Sequence, residues 1–345
     1  MRMALKPVTI RDVAREAQVS VASASRALNN TGNVTAATRE RVLGAARSLR
    51  YVPHSGARSL STRRTQTIGV VLPDLYGEFF SEVIRGVDEA ARARGLHLLV
   101  SNSHGDAEEA ASAIRAMRGR VDGLLLMSPH VDASVLADNL SDDLPLVLMN
   151  TRVEGRTHPA FLIDNYAGAY AVTRHLIEGG ARRVAHIAGA LGNFEAEERR
   201  RGYLDALQGA APLVVQGDFS EESGHAAGLR LATMKRRADA VFAANDMMAV
   251  GCMAAIEAAG LRVPQDIALA GFDDIPIARL IKPALTTARV RISDLGRRAL
   301  ERLAGVIEHP DQVDLSPEIA RPELVVRESS GGKQAVPGLG TGRRH

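Results

Sequence analysis

From Ile68 onward, apolar runs of at most seven residues alternate with amphipathic stretches, and this alternation restricts the fold more than any other feature of the chain. The runs IGVVLP, HLLVSNS, DGLLLM, LVLMN, VAHIAG, AVFAAND and IALAGF are candidate buried strands. Between them, Phe80–Arg94, Asp106–Met117, Tyr166–Glu178 and Asp246–Ala259 carry helical spacing. Strands that read as continuous apolar runs are covered on both faces, and helices lying between consecutive strands make the sheet parallel. The runs outnumber the ~5–6 strands of an ordinary sheet. Two α/β lobes are therefore expected rather than one. No uninterrupted apolar run approaches the ~18 residues of a membrane span, and no membrane partner is expected. The start, MRMALKPVTI, lacks an apolar segment ahead of its first charges, so export is not expected and the cytoplasm, with the nucleoid, is. The single cysteine, Cys252, excludes an internal disulfide framework and a cysteine zinc site.

Charge divides the chain again. Residues 1–65 hold 12 Lys and Arg against 3 Asp and Glu, a balance of +9. Residues 66–328 hold 28 against 37, a balance of −9, which the overall +3 conceals. A basic head on an acidic body points to a polyanion partner for the head alone.

Within the head, Thr9 followed by Asp12 resembles a capping box. Ile10, Val13, Ala14 and Ala17 then form one apolar helical stripe. Ser20 caps a second helix, Val21 to Leu28. A third starts at Thr35, with Val42, Leu43, Ala46 and Leu49 as its buried stripe and Arg39, Arg41, Arg47 and Arg50 outward. Two short helices joined by a tight turn can place the second in a DNA major groove, although a generic three-helix bundle shows the same stripes.

The wording of the head is more specific than its spacing. VTIRDVAREAQVSVASASRALNN, followed by VTAATRERVLGAARSLRYVPHSGARSL, resembles the head of the lactose-repressor (LacI/GalR) family of bacterial transcription regulators, and the resemblance continues to about Glu328. Gln18 stands where the family usually has glycine in the turn, and His54 where asparagine usually follows the proline. The resemblance implies an all-α helix-turn-helix head plus an α/β body of two parallel-sheet lobes like those of periplasmic binding proteins. Residues 1–52 would be the DNA-binding domain and 53–65 a hinge helix and linker. Residues 66–328 would form the effector-binding and dimerisation body, with lobe 1 at about 66–163 and 292–318 and lobe 2 at about 164–289 and 319–328. The tail 329–345, rich in Gly, Pro and Ser and lacking a leucine heptad, is expected to be disordered, leaving a homodimer rather than a tetramer.

Carried onto this sequence, the resemblance makes Val21 and Ala22 the opening of a recognition helix, able to read shape or a thymine methyl. Arg26 has the fork geometry for guanine O6 and N7. Ser20, Ser23 and Ser25 suit phosphates, Asn29 backbone or a base edge, and Thr9 joins this DNA-facing set. Leu60 becomes a minor-groove wedge with Ala57 beside it. In the body, the resemblance places Phe79, Phe80 and Phe219 against a ligand ring and gives Arg199 a ligand oxygen or carboxylate. Asn245, Asp246 and Asp273 would take hydroxyls, and Asn150 stands where many relatives carry aspartate. The implied partners are a palindromic double-stranded operator, a small sugar or sugar derivative, and a second copy of the chain.

Rival chemistry finds little support. The chain has no G-x-x-x-x-G-K-[ST], no H-E-x-x-H and no G-x-S-x-G, so no cofactor, metal or catalytic set is expected. The competing class is a soluble α/β binding protein or enzyme with an unrelated basic extension. Turnover of a sugar would favour the enzyme; operator binding favours the regulator.

Overall fold

The computed structural model describes residues 8–29, 32–52, 64–129, 139–140, 144–151 and 158–331. Contacts divide the chain into two units, residues 1–65 and 66–345.

In the first unit, α1 (Ile10–Glu16), α2 (Val21–Asn29) and α3 (Ala36–Ser48) surround a small core. The Thr9 N–H and hydroxyl both donate to Asp12 Oδ2, at 3.0 and 2.7 Å. The Ser20 hydroxyl accepts from Ser23 N at 3.1 Å, and Thr35 caps α3. The turn between α1 and α2 passes through Gln18 at φ 56°, a left-handed conformation that glycine adopts without cost, and Val19 N closes it on Ala14 O at 3.0 Å. Val13, Ala14, Ala17, Ala24, Ala27, Val42, Ala45 and Ala46 are buried. The expected α3 stripe needs one correction: Leu43 is 41% exposed and Ala45 takes its inward place. Alanines flank the true stripe, so apolar spacing alone fits two rotations of the helix.

The second unit holds two six-stranded sheets. The first contains β1 (Thr67–Leu72), β2 (His97–Asn102), β3 (Gly123–Met127), β4 (Leu146–Met149), β5 (Ala160–Ile163) and β11 (Glu318–Ala320), in the order β11-β5-β4-β3-β1-β2 and all parallel. The second contains β6 (Val184–Ala188), β7 (Leu213–Gln216), β8 (Ala240–Ala243), β9 (Ala268–Asp273), β10 (Thr286–Arg289) and β12 (Glu323–Val325), in the order β12-β10-β9-β8-β6-β7. Only its β10–β12 pair is antiparallel. Helices α4 (Glu78–Ala93), α5 (Ala107–Met117) and α10 (Ile292–Glu308) cover the first sheet. Helices α6 (Asn165–Glu178), α7 (Phe194–Ala206), α8 (Glu221–Ala232) and α9 (Asp246–Ala258) cover the second. Every residue of β3, β4, β6 and β8 is buried, as unbroken apolar runs require.

The chain passes between sheets after β5, after β10 and after β11. The last passage is at Arg321-Pro322, so Ile319 and Ala320 belong to the first sheet rather than to a lobe beginning at 319. The start of the expected disordered tail is also corrected. Glu328–Ser330 forms one helical turn, and the buried Ser329 hydroxyl donates to Leu269 O at 2.6 Å while accepting from Thr286 N at 2.8 Å. Residues 332–345 lie outside the described residues, as do Ala57 and Leu60.

Candidate functional site

A cleft of about 490 Å³ opens between the sheets at the carboxyl ends of their strands, where parallel α/β folds hold ligands. Its walls come from the segments at or beyond the carboxyl ends of β1 (Asp74, and Phe79 and Phe80 at the start of α4), β2 (His104), β3 (Met127, Pro129), β6 (Asn193, and Glu195 and Arg199 on α7), β7 (Asp218, Phe219), β8 (Asn245) and β9 (Asp273). Two hydrogen bonds cross between the sheets' turns: Phe194 N donates to Pro129 O at 3.3 Å, and Ile277 N to Glu78 Oε2 at 2.8 Å.

Arg199 is the centre of the floor, with only 4% of its side chain exposed. Its Nε donates to Asn165 Oδ1 at 2.7 Å, Nη1 to Ala244 O at 2.6 Å and Nη2 to Asp273 Oδ1 at 3.4 Å. The guanidinium lies 3.8 Å from the Phe272 ring centroid, a cation–π contact, and Nη2 is 4.0 Å from Glu195 Oε1. Burial pushes the Asp273 carboxyl up to about 7 against the pull of Arg199, and the Glu195 charge raises it further. Burial likewise raises Glu195, opposed by Arg199 and the Asn165 amide.

Phe219 holds the left-handed φ of 77°, and its ring covers Gly189, where a Cβ would come within 2.2 Å of it. Asn245 Nδ2 donates to Phe219 O at 3.0 Å while Oδ1 accepts from Met248 N at 2.9 Å. Asn245 thus lines the cleft and sets the Phe219 turn at once. Phe79 and Phe80 meet edge to face with centroids 5.3 Å apart.

Six of the eight expected effector residues converge here: Phe79, Phe80, Arg199, Phe219, Asn245 and Asp273. Asp246 does not. It is fully buried, accepting from Thr287 Oγ1 at 2.7 Å and from Ile275 N at 3.0 Å, and it braces the Asp273 turn from behind. Desolvation, and then the neighbouring Asp273 charge, raise its pKa well above the usual carboxylate range. Asn150 is also outside the lining; it is buried at φ 44° after β4, and its amide atoms have no hydrogen-bond partner among the described residues. Sequence reasoning missed Asn165 and Glu195, which are 34 and 4 residues from the arginine they surround; a Glu four before Arg on a helix was the one local signal.

In the head, Val21, Ala22 and Arg26 are exposed on α2, Thr9 is exposed at the start of α1 and Ser20 just before α2, while Ser23, Ser25 and Asn29 are half-buried. Arg26 Nε rests on Ala22 O at 3.3 Å, and Asn29 Nδ2 on Ser25 Oγ at 3.3 Å. Arg41, Arg47 and Arg50 are exposed on or just after α3.

This head and this cleft have counterparts in known proteins. Residues 9–54 match the bacterial regulatory proteins of the lacI family, and residues 173–330 match the periplasmic binding protein-like domain. The chain is 36% identical over 300 residues to the HTH-type transcriptional regulator GalS of Salmonella typhimurium, covering 85% of this chain and 88% of that one. The chain belongs to the LacI family of bacterial regulatory proteins. It is also 36% identical over 325 residues to the HTH-type transcriptional repressor PurR of Yersinia enterocolitica, covering 90% of this chain and 95% of that one. Among solved structures, the lac repressor dimer bound to operator and an anti-inducer superposes with a TM-score of 0.84 at 27% identity, covering 94% and 99% of the two chains. The regulator CelR in complex with cellobiose gives 0.69 at 32% identity, covering 93% and 99%. As a LacI-family regulator, the protein is a DNA-binding transcription factor with a two-lobed sensor. Among the described residues, no helix is long and apolar enough to cross a membrane.

Proposed function

We propose that the protein is a cytoplasmic, non-enzymatic repressor that grips a roughly palindromic operator as a homodimer and releases or tightens that grip when a small metabolite, a sugar or sugar derivative, fills the interlobe cleft. The observation that carries this reading is the presence in one chain of a helix-turn-helix with an exposed arginine on its second helix and a sensor cleft walled by both lobes. Operator-bound lac repressor and cellobiose-bound CelR, at high coverage, support it. Two-fold protein symmetry requires two half-sites, and phosphate neutralisation makes operator affinity fall steeply with salt. Thr9, Ser20, Ser23 and Ser25 position the head on phosphates, Val21, Ala22 and Arg26 face the bases, and Asn29 takes backbone or a base edge. Leu60 and Ala57 form the hinge contact in the minor groove. The six converged cleft residues hold the effector.

The test is a thermal-shift screen of small metabolites, followed by fluorescence titration of a labelled palindromic operator with each hit. A hit that changes operator affinity is expected. Metabolites that bind without changing operator affinity would refute the coupling. Loss of operator affinity in Leu60→Gly, with unchanged helix content, is expected from the hinge assignment, and unchanged affinity would overturn it.

A further inference from the structure

The carboxyl end of the second sheet forms the cleft; its amino end has a different chemistry. That end is built from the links leading into the parallel strands: residues 179–183 before β6, 207–212 before β7, 233–239 before β8, 259–267 before β9 and 280–285 before β10. The links carry seven Lys and Arg against two acids, Asp239 and Asp266, a balance of +5 in a body whose overall balance is −9. Helix ends explain little of this excess. A cation stabilises the negative end of a helix dipole within the last turn, but Arg182 and Arg183 stand four and five residues past α6, Lys235, Arg236 and Arg237 three to five past α8, and Arg262 four past α9.

Nor are these cations neutralised locally. On the helices of the body, arginines pair with carboxylates: Arg85 with Glu82 and Glu89, Arg174 with Glu178, Arg297 with Asp294 and Glu301. At the amino end, Arg182, Lys235, Arg236, Arg237 and Lys282 are exposed, and their side chains make no hydrogen bond or ion pair among the described residues. The two acids are engaged elsewhere. Asp239 accepts from the backbone N–H groups of Arg182 at 2.9 Å and Arg183 at 2.8 Å, and Asp266 Oδ2 takes Arg262 Nε at 3.1 Å. Arg183 Nη1 donates to Arg236 O, which fastens the link before β8 to the link before β6.

Strands β10, β9, β8 and β6 are consecutive neighbours. Lys282, the run Lys235–Arg237 and Arg182 therefore stand along a row about 14 Å long, at ~4.8 Å per strand. Duplex DNA carries one phosphate charge per ~1.7 Å of its axis, so a row of this length faces on the order of eight of them. The five links contain no aromatic residue. Single strands are held largely by stacking their bases on aromatic rings, whereas a duplex backbone is held by cations alone. We propose that the amino end of the second sheet is a sequence-independent docking surface for duplex DNA, additional to the helix-turn-helix. It contacts phosphates only and does not depend on a ligand in the cleft.

The test uses the full-length protein. Cys252 is its only cysteine and is buried, so an added surface cysteine can be labelled alone with an azidophenacyl photocrosslinker. Gln265→Cys places the label on this edge, and Glu222→Cys, exposed in the first turn of α8, places it at the cleft end of the same lobe. Each is irradiated with a radiolabelled duplex of random sequence. Crosslinking at Gln265→Cys should exceed that at Glu222→Cys by at least ~10-fold and fall steeply as salt is raised. Adding Lys235→Ser, Arg236→Ser and Arg237→Ser together should lower it at least ~10-fold at an unchanged melting temperature, as the loss of three phosphate contacts implies. Should that variant fail to fold, Arg182→Ser with Lys282→Ser repeats the test on the flanking strands. Equal crosslinking at the two labels, or crosslinking that survives the serine substitutions, overturns the proposal. So does displacement of the duplex from the edge by poly-glutamate of equal charge as readily as by unlabelled duplex, which would mark a surface for acidic polypeptides. Single-stranded DNA that crosslinks as strongly as duplex overturns the duplex assignment.

Discussion

Replacing Asn165 with alanine tests the floor of the cleft at the residue that ties it to the first passage between lobes. Asn165 follows Asp164 directly after β5 and is 2% exposed. Its Oδ1 accepts from Arg199 Nε at 2.7 Å, and its Nδ2 donates to Ile163 O at 3.2 Å and Glu195 Oε1 at 3.4 Å. A hydrogen bond to a charged group contributes about 1.5–3 kcal/mol and a neutral one about 0.5–1.5 kcal/mol. Truncation removes one of the first kind outright and leaves a guanidinium donor buried without its acceptor. Asn165→Ala should therefore cost about 2–4 kcal/mol, read as a shift of the urea midpoint at constant slope. Affinity for the effector should fall with it, because Arg199 then loses the contact that fixes its Nε edge. A double-mutant cycle with Arg199→Met isolates the pair, with an expected coupling of about 1.5–3 kcal/mol. A single-variant loss below about 0.5 kcal/mol, or a coupling near zero, would refute the claim that Asn165 holds the arginine.

Further outcomes follow from individual contacts. A Cβ on Gly86 of α4 would stand 1.8 Å from Ser293 O, at the crossing with α10, so Gly86→Ala should destabilise the body by about 1–3 kcal/mol or more in thermal unfolding; an unchanged melting temperature would contradict that close approach. His186 is buried between Tyr203 and Phe242, and burial lowers its pKa to about 4. Between pH 4 and its unfolded value near ~6.5 the unfolded chain binds the proton and the folded chain does not, so this stability is present above ~6.5 and is lost as pH falls toward 4. The loss is on the order of 3 kcal/mol, and denaturation of His186→Phe across that range should show a shallower pH slope than wild type. In the head, Arg26→Ala should relax preference at one base position per half-site by about 1–3 kcal/mol in competition titrations against operator variants, whereas a uniform loss across sequences would mark a phosphate contact.

What the sequence made legible is whatever is written in local periodicity. Apolar runs such as DGLLLM and AVFAAND became β3 and β8, and the two-lobe division followed from their number. The capping serine and threonines of the head are equally local signals. The failures share a different cause. Leu43 and Ala45 exchanged roles because alanine-rich helices present two competing stripes. Asp246 follows a strand in the manner of a cleft ligand, yet its carboxyl turns toward Thr287, 41 residues away, which no local pattern reports. Glycines and serines after Glu328 read as disorder by composition, but Ser329 satisfies backbone groups of the second sheet. Asn165 and Glu195 acquired their roles only once α6 and α7 packed side by side.

The same long-range contacts explain how strained turns persist in the cleft. Phe219, Asp273 and Asp274 sit at φ 77°, 112° and 58°, a conformation that costs a non-glycine residue about 1–3 kcal/mol and survives only where its surroundings over-determine it. Asn245 holds the Phe219 carbonyl. The Asp273-Asp274 turn is held by Asp246 through Ile275 N, by Thr287 Oγ1 donating to Asp246 and by Arg289 Nε donating to Asp274 at 2.6 Å. Walls fixed in this way cannot adapt residue by residue to a ligand. The give in the body must lie between the lobes, where the chain passes in three short segments: Asp164, Val290-Arg291 and Arg321-Pro322. A ligand bridging Phe79 or Phe80 to Asp273 would then act on the same lobe separation that the Ile277–Glu78 and Phe194–Pro129 hydrogen bonds span. On the proposed effector reading, binding energy at this site would act on the angle between the lobes rather than on local rearrangement, which is the differential stabilisation of two states that ligand control of DNA binding requires.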